Sequence, residues 1–269
     1  MWTAPAKLTL TLRVTGVRSD GYHLLESEMV TLDLSDTLEI EETEQAGSGD
    51  GGLVVDVDWP GGVEGWRDLT IGPEADNLVT RALAAADRTA AVRLVKRIPP
   101  GAGLGGGSAD AAAVLRWAGC DDRDTAAALG ADVPFCVIGG RARVSGVGEV
   151  VVPLPFEDRS FVLVLPPFGV ETAAVYRAYD RLASEGKLPE AGTVANELEA
   201  PALVVEPRLA GWRSVLEEVT GRPARLAGSG STWFVEGSAA ELGVEDRRWL
   251  ELEGRRAPLV TTRTSPSLI

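Results

Sequence analysis

A chain of 269 residues, 45% hydrophobic and 25% charged, has the composition of a globular protein and the length for one large domain or two modest ones. Forty acidic against 26 basic residues leave a formal charge of −14, which argues against broad nucleic-acid binding, and no window approaches the roughly 18 to 20 apolar residues of a membrane span. Two cysteines (Cys120, Cys136) cannot build a disulfide framework, one histidine (His23) leaves a zinc site without material, and the N-terminus lacks a secretory pattern, so a cytoplasmic protein is expected.

In chain order, residues 6 to 14 alternate apolar and polar side chains as a half-buried strand does. Ser19-Asp20-Gly21 reads as a turn, and strand-like alternation returns from Leu24 to Ile40 with a break at Ser35-Asp36. From Ser19 to Trp66 there is no Lys or Arg, which reads as a solvated acidic face. A glycine-rich acidic loop (45–52) precedes a strand at 53–57, and Asp76 is the expected N-cap of a helix carrying Leu78, Ala82 and Leu83. Residues 91 to 98 alternate again and stop at Pro99-Pro100. Ser108 is expected to open an alanine-rich helix to about Trp117, followed by a small helix ending at Gly130 and closing strands at 135–138, 142–144 and 149–152. Pro153-Leu154-Pro155 marks the expected boundary, giving a first domain over 1–156 and a second over 157–269. The second half reads as strand 161–165, helix 172–184, helices from about 195 to 219, a glycine-broken strand 224–235, a helix, and a last strand near 257–262. The expected class is α+β.

Five of the seven residues from Gly101 to Gly107 are glycine, and a helix is expected to follow directly. Glycines let the backbone approach a ligand, and a helix N-terminus offers unpaired N–H donors and the positive end of a dipole, so the pair makes a phosphate cradle. Gly-Lys-Ser/Thr is absent, which excludes a Walker A loop. Gly101, Gly103 and Gly106 satisfy Gly-x-Gly-x-x-Gly with Asp121 about 20 residues on, so a dinucleotide-dependent dehydrogenase stands as the alternative. No strand-like run ends at Asp121, however, and the double proline does not suit a strand entering its turn.

Three separated segments resemble the motifs of the galactokinase, homoserine kinase, mevalonate kinase and phosphomevalonate kinase (GHMP) superfamily: Pro5-Ala6-Lys7-Leu8, Pro99 to Ser108, and Gly228-Ser229-Gly230-Ser231. Within it, Asp20-Gly21-Tyr22-His23, Leu129 to Phe135, and Gly169-Val170 with Ala174-Val175-Tyr176 are similar to the branch whose acceptor is a cytidine-diphosphate-linked methylerythritol. The resemblance implies a two-domain GHMP kinase fold, with a ribosomal-protein-S5-like first domain, a ferredoxin-like second domain and the site between them. It implies ATP with Mg²⁺ as the nucleotide and a hydroxyl as the acceptor of its terminal phosphate.

By the same resemblance, Lys7 and Asp132 are the catalytic pair. Pro99, Gly101, Gly103, Leu104, Gly105, Gly106, Gly107 and Ser108 would hold the phosphates, with Asn77 and Lys96 near the adenine. Tyr22 and Tyr176 would sandwich the cytosine, His23 would read its edge, and Thr9, Gly228, Ser229 and Gly230 would meet the substrate. Asp110 reads as complementing the loop helix's dipole. Three positions depart from the family pattern: Thr9 stands for Asn, Ala109 for the second Ser after the glycines, and the link from Trp117 to Leu129 is short. Another small-molecule GHMP kinase and a catalytically silent nucleotide-binding homologue are the remaining alternatives, and against the second both Lys7 and Asp132 are present.

Kinase and dehydrogenase separate in a thermal-shift experiment. A ligand that binds only the folded state raises the melting temperature, so Mg-ATP is expected to protect the protein and NAD is not. Protection by NAD with none by ATP reverses the ranking.

Overall fold

The computed structural model describes residues 1–43, 52–62 and 76–269, so the glycine-rich acidic loop lies almost wholly outside the described residues. Strands β1 (Trp2–Val17) and β2 (His23–Glu42) form a long antiparallel hairpin closed by Asp20-Gly21, where Arg18 N–H donates to Tyr22 O at 2.7 Å. With β3 (Leu53–Val57), β4 (Ala90–Lys96), β5 (Arg141–Gly146) and β6 (Val150–Leu154) they build a six-stranded sheet of order β3-β4-β2-β5-β6, β1 pairing with β2. Helices α1 (Leu78–Ala85), α2 (Gly106–Ala118), α3 (Arg123–Leu129) and α4 (Val133–Ile138) pack together over it. The small side chains Ala109, Ala111, Ala112 and Ala113 let α2 sink until all four are buried.

The second half is a five-stranded sheet of order β10-β11-β7-β9-β8, made of β7 (Ser160–Val164), β8 (Arg225–Leu226), β9 (Trp233–Glu236), β10 (Trp249–Leu252) and β11 (Arg255–Arg263). Helices α5 (Thr172–Ser184), α6 (Glu199–Val205) and α7 (Leu209–Thr220) share a core with it through Val175, Ala202, Trp212 and Leu216.

A third apolar cluster joins the two sheets: Ala6, Leu8, Leu10 and Leu32 meet Ile98 and Leu104 on one side and Phe161, Leu163 and Phe234 on the other. The tail returns to the first half, where Ser265 N–H donates to Thr31 O and Leu268 N–H to Ile138 O, each at 2.9 Å.

Several elements differ from the sequence expectation. Residues 4–10 of β1 are all buried rather than alternately exposed, because the second half covers the strand too. Register shifts between Pro5 and Lys7 and between Thr9 and Thr11 flank the two polar side chains, as bulges beside functional groups do. Residues 135–138 are helix, not strand: Pro134 sits in the first turn of α4, where its missing N–H costs nothing, and a short apolar run does not by itself distinguish buried helix from strand. Asn77, not Asp76, caps α1, its side chain accepting from Val79 N–H at 2.9 Å. Helix α2 starts at Gly106, two residues before Ser108, behind Gly105 in the left-handed conformation. The segment between β9 and β10 holds turns in place of the expected helix, and β10 is an added strand.

Candidate active site

A cleft of about 860 Å³ runs between the two halves. One end is lined by Leu78 and Pro99 to Ser108 (Leu104 excepted), the middle by Lys7, Thr9, Asp132, Gly228 and Ser229, and the other end by Asp20, Tyr22, His23, Tyr176, Arg177 and Asp180. The first helical hydrogen bond of α2 runs from Ala109 N–H to Gly105 O at 2.9 Å, which leaves the amides of Gly106, Gly107 and Ser108 without helical partners beside the cleft. Such unpaired amides at a helix start can hold an anion.

The loop glycines have distinct tasks. Gly103 has φ +78°, and a Cβ there would run into the carbonyl oxygen of Ala227 and come within 2.8 Å of Gly230 O; the second half needs that space. Gly105 has φ +68°, and a Cβ would lie 2.8 Å from Lys7 Cγ. Around them Ser231 N–H donates to Gly101 O and Thr232 N–H to Ala102 O, both at 3.1 Å, so the loop is docked across the interface.

Lys7 lies along this loop. Its backbone N–H donates to Leu104 O at 3.0 Å, and its Nζ is 3.1 Å from Asp132 Oδ2 and 3.2 Å from Thr9 Oγ1. The lysine side chain is 7% exposed and the aspartate 30%, so the carboxylate keeps access to the cleft while the ammonium is nearly enclosed. Burial pushes the Tyr176 hydroxyl up to about 12, with the Asp132 charge adding to the effect, so the ring enters the site uncharged. The turn of the third motif segment, residues 228–231, is fixed by a residue outside every motif: buried Asn196 donates to Leu226 O at 2.9 Å and Gly228 O at 2.7 Å.

At the far end, Tyr22 is 62% exposed with the Arg18 guanidinium 5.4 Å from its ring centre. His23 stacks on Tyr176 with centroids 4.7 Å apart, and its Nε2 is 2.7 Å from Asp180 Oδ1. Thr172, Arg177 and Asp180, all on α5, line the cleft and escaped the sequence reading, because only the fold brings α5 across from the hairpin.

Four expected positions lie off the cleft lining. Asn77 is spent on capping α1. Leu104 is buried in the joining cluster, and Gly230 faces Leu226 and Val170. Lys96 is enclosed beneath the loop, its Nζ paired with Asp36 and 2.7 Å from Asp110 Oδ2, so it is occupied by protein carboxylates instead of a ligand. Asp36 Oδ1 also accepts from the amides of Arg97 and Ile98, the second at 2.8 Å. The triad therefore ties the strand entering the loop to the helix leaving it. The dipole role expected for Asp110 gives way to this buried contact.

These features define the class. The model of GHMP kinases N terminal domain matches residues 77–140, which hold the glycine loop and Asp132. In fold the chain is similar to a crystal structure of L. major mevalonate kinase in complex with R-mevalonate (14% identity, 98% of this chain and 95% of that one, TM-score 0.60).

Closer relatives narrow the class. The chain is 40% identical to 4-diphosphocytidyl-2-C-methyl-D-erythritol kinase of Paracoccus denitrificans over 88% of its length and 87% of the relative's, and 37% identical to that of Ruegeria pomeroyi over 86% of each. A crystal structure of 4-(cytidine 5'-diphospho)-2C-methyl-D-erythritol kinase matches 98% of both chains at 30% identity and TM-score 0.68. The chain belongs to the 4-diphosphocytidyl-2-C-methyl-D-erythritol kinase family of the GHMP kinases.

The triad carries a pH signature. Two carboxylates share one ammonium away from water, and burial pushes Asp110 up to about 7, with Lys96 opposing and Asp36 adding to the rise. The unfolded carboxyl, near 3.8, releases its proton first, so the folded state binds more protons between those values and stability falls as pH rises through the window. Melting curves from about pH 5 to pH 8 are expected to show that decline, and Asp110→Asn is expected to flatten it. An unchanged slope in the variant removes Asp110 as its source.

Proposed function

We propose that this protein transfers the γ-phosphoryl group of ATP to the 2-hydroxyl of 4-diphosphocytidyl-2-C-methyl-D-erythritol, a step of the non-mevalonate isoprenoid precursor pathway in the cytoplasm. One observation carries this reading: the Lys7–Asp132 pair sits mid-cleft, between the free amides of α2 and the aromatic end at Tyr22, His23 and Tyr176.

The division of labour follows from that placement. The amides of Gly106, Gly107 and Ser108 hold the nucleotide's phosphates, with the helix dipole behind them. Lys7, held in line by Thr9 and the loop, lies where negative charge builds on the transferring group. The Asp132 carboxylate orients the acceptor hydroxyl and takes its proton. Because phosphoryl transfer passes through a loose transition state, positioning and charge neutralisation outweigh early proton removal, and a carboxylate suffices. Mg²⁺ bound with ATP would neutralise charge on the β- and γ-phosphates. Ser108 and Asp132 line the cleft beside the loop and Lys7 and carry side-chain oxygens that would help to hold such an ion. Tyr22 and Tyr176 supply rings for the cytosine, and Thr9, Gly228 and Ser229 meet the acceptor beyond the lysine.

A coupled ADP-release assay with the cytidine-diphosphate acceptor, beside galactose, homoserine and mevalonate, tests the substrate; turnover with a control sugar or acid and none with the cytidine compound points to another GHMP activity. Asp132→Asn keeps the side chain's shape but removes charge and proton acceptor, and kcat is expected to fall by about 10² or more with ATP affinity retained. A kcat within a few-fold of wild type removes Asp132 from the chemistry.

Stacking of a base on an aromatic ring is worth about 1 to 3 kcal/mol, so Tyr22→Ala is expected to raise the acceptor KM roughly 5- to 150-fold while the ATP KM stays in place. A parallel rise of both, with a lower melting temperature, would mark Tyr22 as a packing residue.

A further inference from the structure

Helix α5 builds a seat for one imidazole ring. Tyr176 and Asp180 are one turn apart on the same face, with Tyr179 between them in sequence. The His23 ring, from the first residue of β2, lies stacked on Tyr176 at 4.7 Å, meets Tyr179 edge-on at 5.8 Å, and places Nε2 2.7 Å from Asp180 Oδ1. His23 and Asp180 both line the cleft. An ionised carboxylate can only accept, so Nε2 carries the proton in this contact. In the neutral ring that leaves Nδ1 as a lone-pair acceptor.

The tautomer has a consequence for ligand choice. Cytosine presents an amino donor at position 4, whereas uracil presents a carbonyl oxygen there. A fixed acceptor pairs with the amine and leaves two lone pairs facing each other with the oxo base, and sites that leave a polar group unpaired discriminate strongly.

We propose that Asp180 is a specificity-determining positioning residue: by holding His23 as the Nε2–H tautomer, it makes the acceptor end of the cleft select a cytosine over a uracil nucleotide. This rests on reading the site as one for a cytidine-diphosphate-linked acceptor, and the experiment separates the two ideas.

His23 is the sole histidine of the chain, so long-range ¹H–¹⁵N spectra report its tautomer without assignment ambiguity. The probes are CDP and UDP as competitive ligands. The wild type is expected to show the Nε2–H form and to bind CDP about 10- to 100-fold more tightly than UDP, the range of one well-placed hydrogen bond. Asp180→Ala is expected to lose most of that preference through weaker CDP binding and to populate the Nδ1–H form, with ATP affinity unchanged. Asp180→Asn, whose amide oxygen still accepts from Nε2–H, is expected to retain most of the preference. Full CDP preference in Asp180→Ala overturns the role of Asp180 and leaves the cytidine site standing. Equal binding of CDP and UDP by the wild type overturns the cytidine reading itself, and joint loss of ATP and CDP binding in Asp180→Ala marks a merely structural contact.

Discussion

The two halves meet around the buried ammonium of Lys7. An ammonium group as enclosed as that of Lys7 is costly unless it is paired and hydrogen-bonded, so the chain must deliver partners to it from several directions. Asp132 arrives from the start of α4, Thr9 from the next position on the same side of β1, and the backbone of the glycine loop runs alongside with no side chain at Gly105 to obstruct it. Gly228 brings the second half to the same point, where a Cβ would lie 3.4 Å from Nζ. Strand irregularities on both sides of Lys7 and Thr9, the helical start at Asp132 and the docking of the two halves are all conditions for that one convergence.

The glycine loop is accordingly as much a joint as a cradle. By sequence alone its glycines serve close approach by a phosphate. The structure uses Gly101 and Gly103 to let residues 169–170 and 227–230 pack against the loop, and Gly106 to leave room for Ile98 and the Lys96 ammonium. Gly107 is the freest of them, its nearest neighbour being Leu78 Cδ1 at 3.4 Å. A site between two domains needs a backbone that both can touch, and glycine is the residue that permits it.

What could be read from the chain was whatever is written locally. A run of glycines before an alanine-rich stretch specifies a loop and a buried helix, and alternation in the first 40 residues specifies a hairpin. What could not be read depends on distant partners. The burial of both faces of β1 comes from a sheet more than 150 residues away in sequence, so alternation misled on exposure. Lys96 looked available because its carboxylate partners are 60 and 14 residues off, at the break in β2 and inside α2. The Ser35-Asp36 break that read as an interruption is where β2 supplies that buried acid without leaving the strand. Asn196 and Asp180 lie in stretches with no motif, and their roles exist only once α5 and the third turn face the hairpin.

An acidic protein that receives two phosphate-bearing ligands has an electrostatic problem, and the cleft shows how it is met. Among the described residues lining it, Lys7 and Arg177 are the only lysine and arginine, while Asp20, Asp132 and Asp180 add negative charge. Side-chain cations therefore cannot be the main source of attraction. Backbone amides at the start of α2 carry fixed partial positive charge at no cost in net charge, and they line the cleft. On the proposed reading, the enclosed Lys7 ammonium would stand at the point of transfer and the dipoles would hold the remaining phosphates, reserving the strongest charge interaction for the group whose charge changes during reaction.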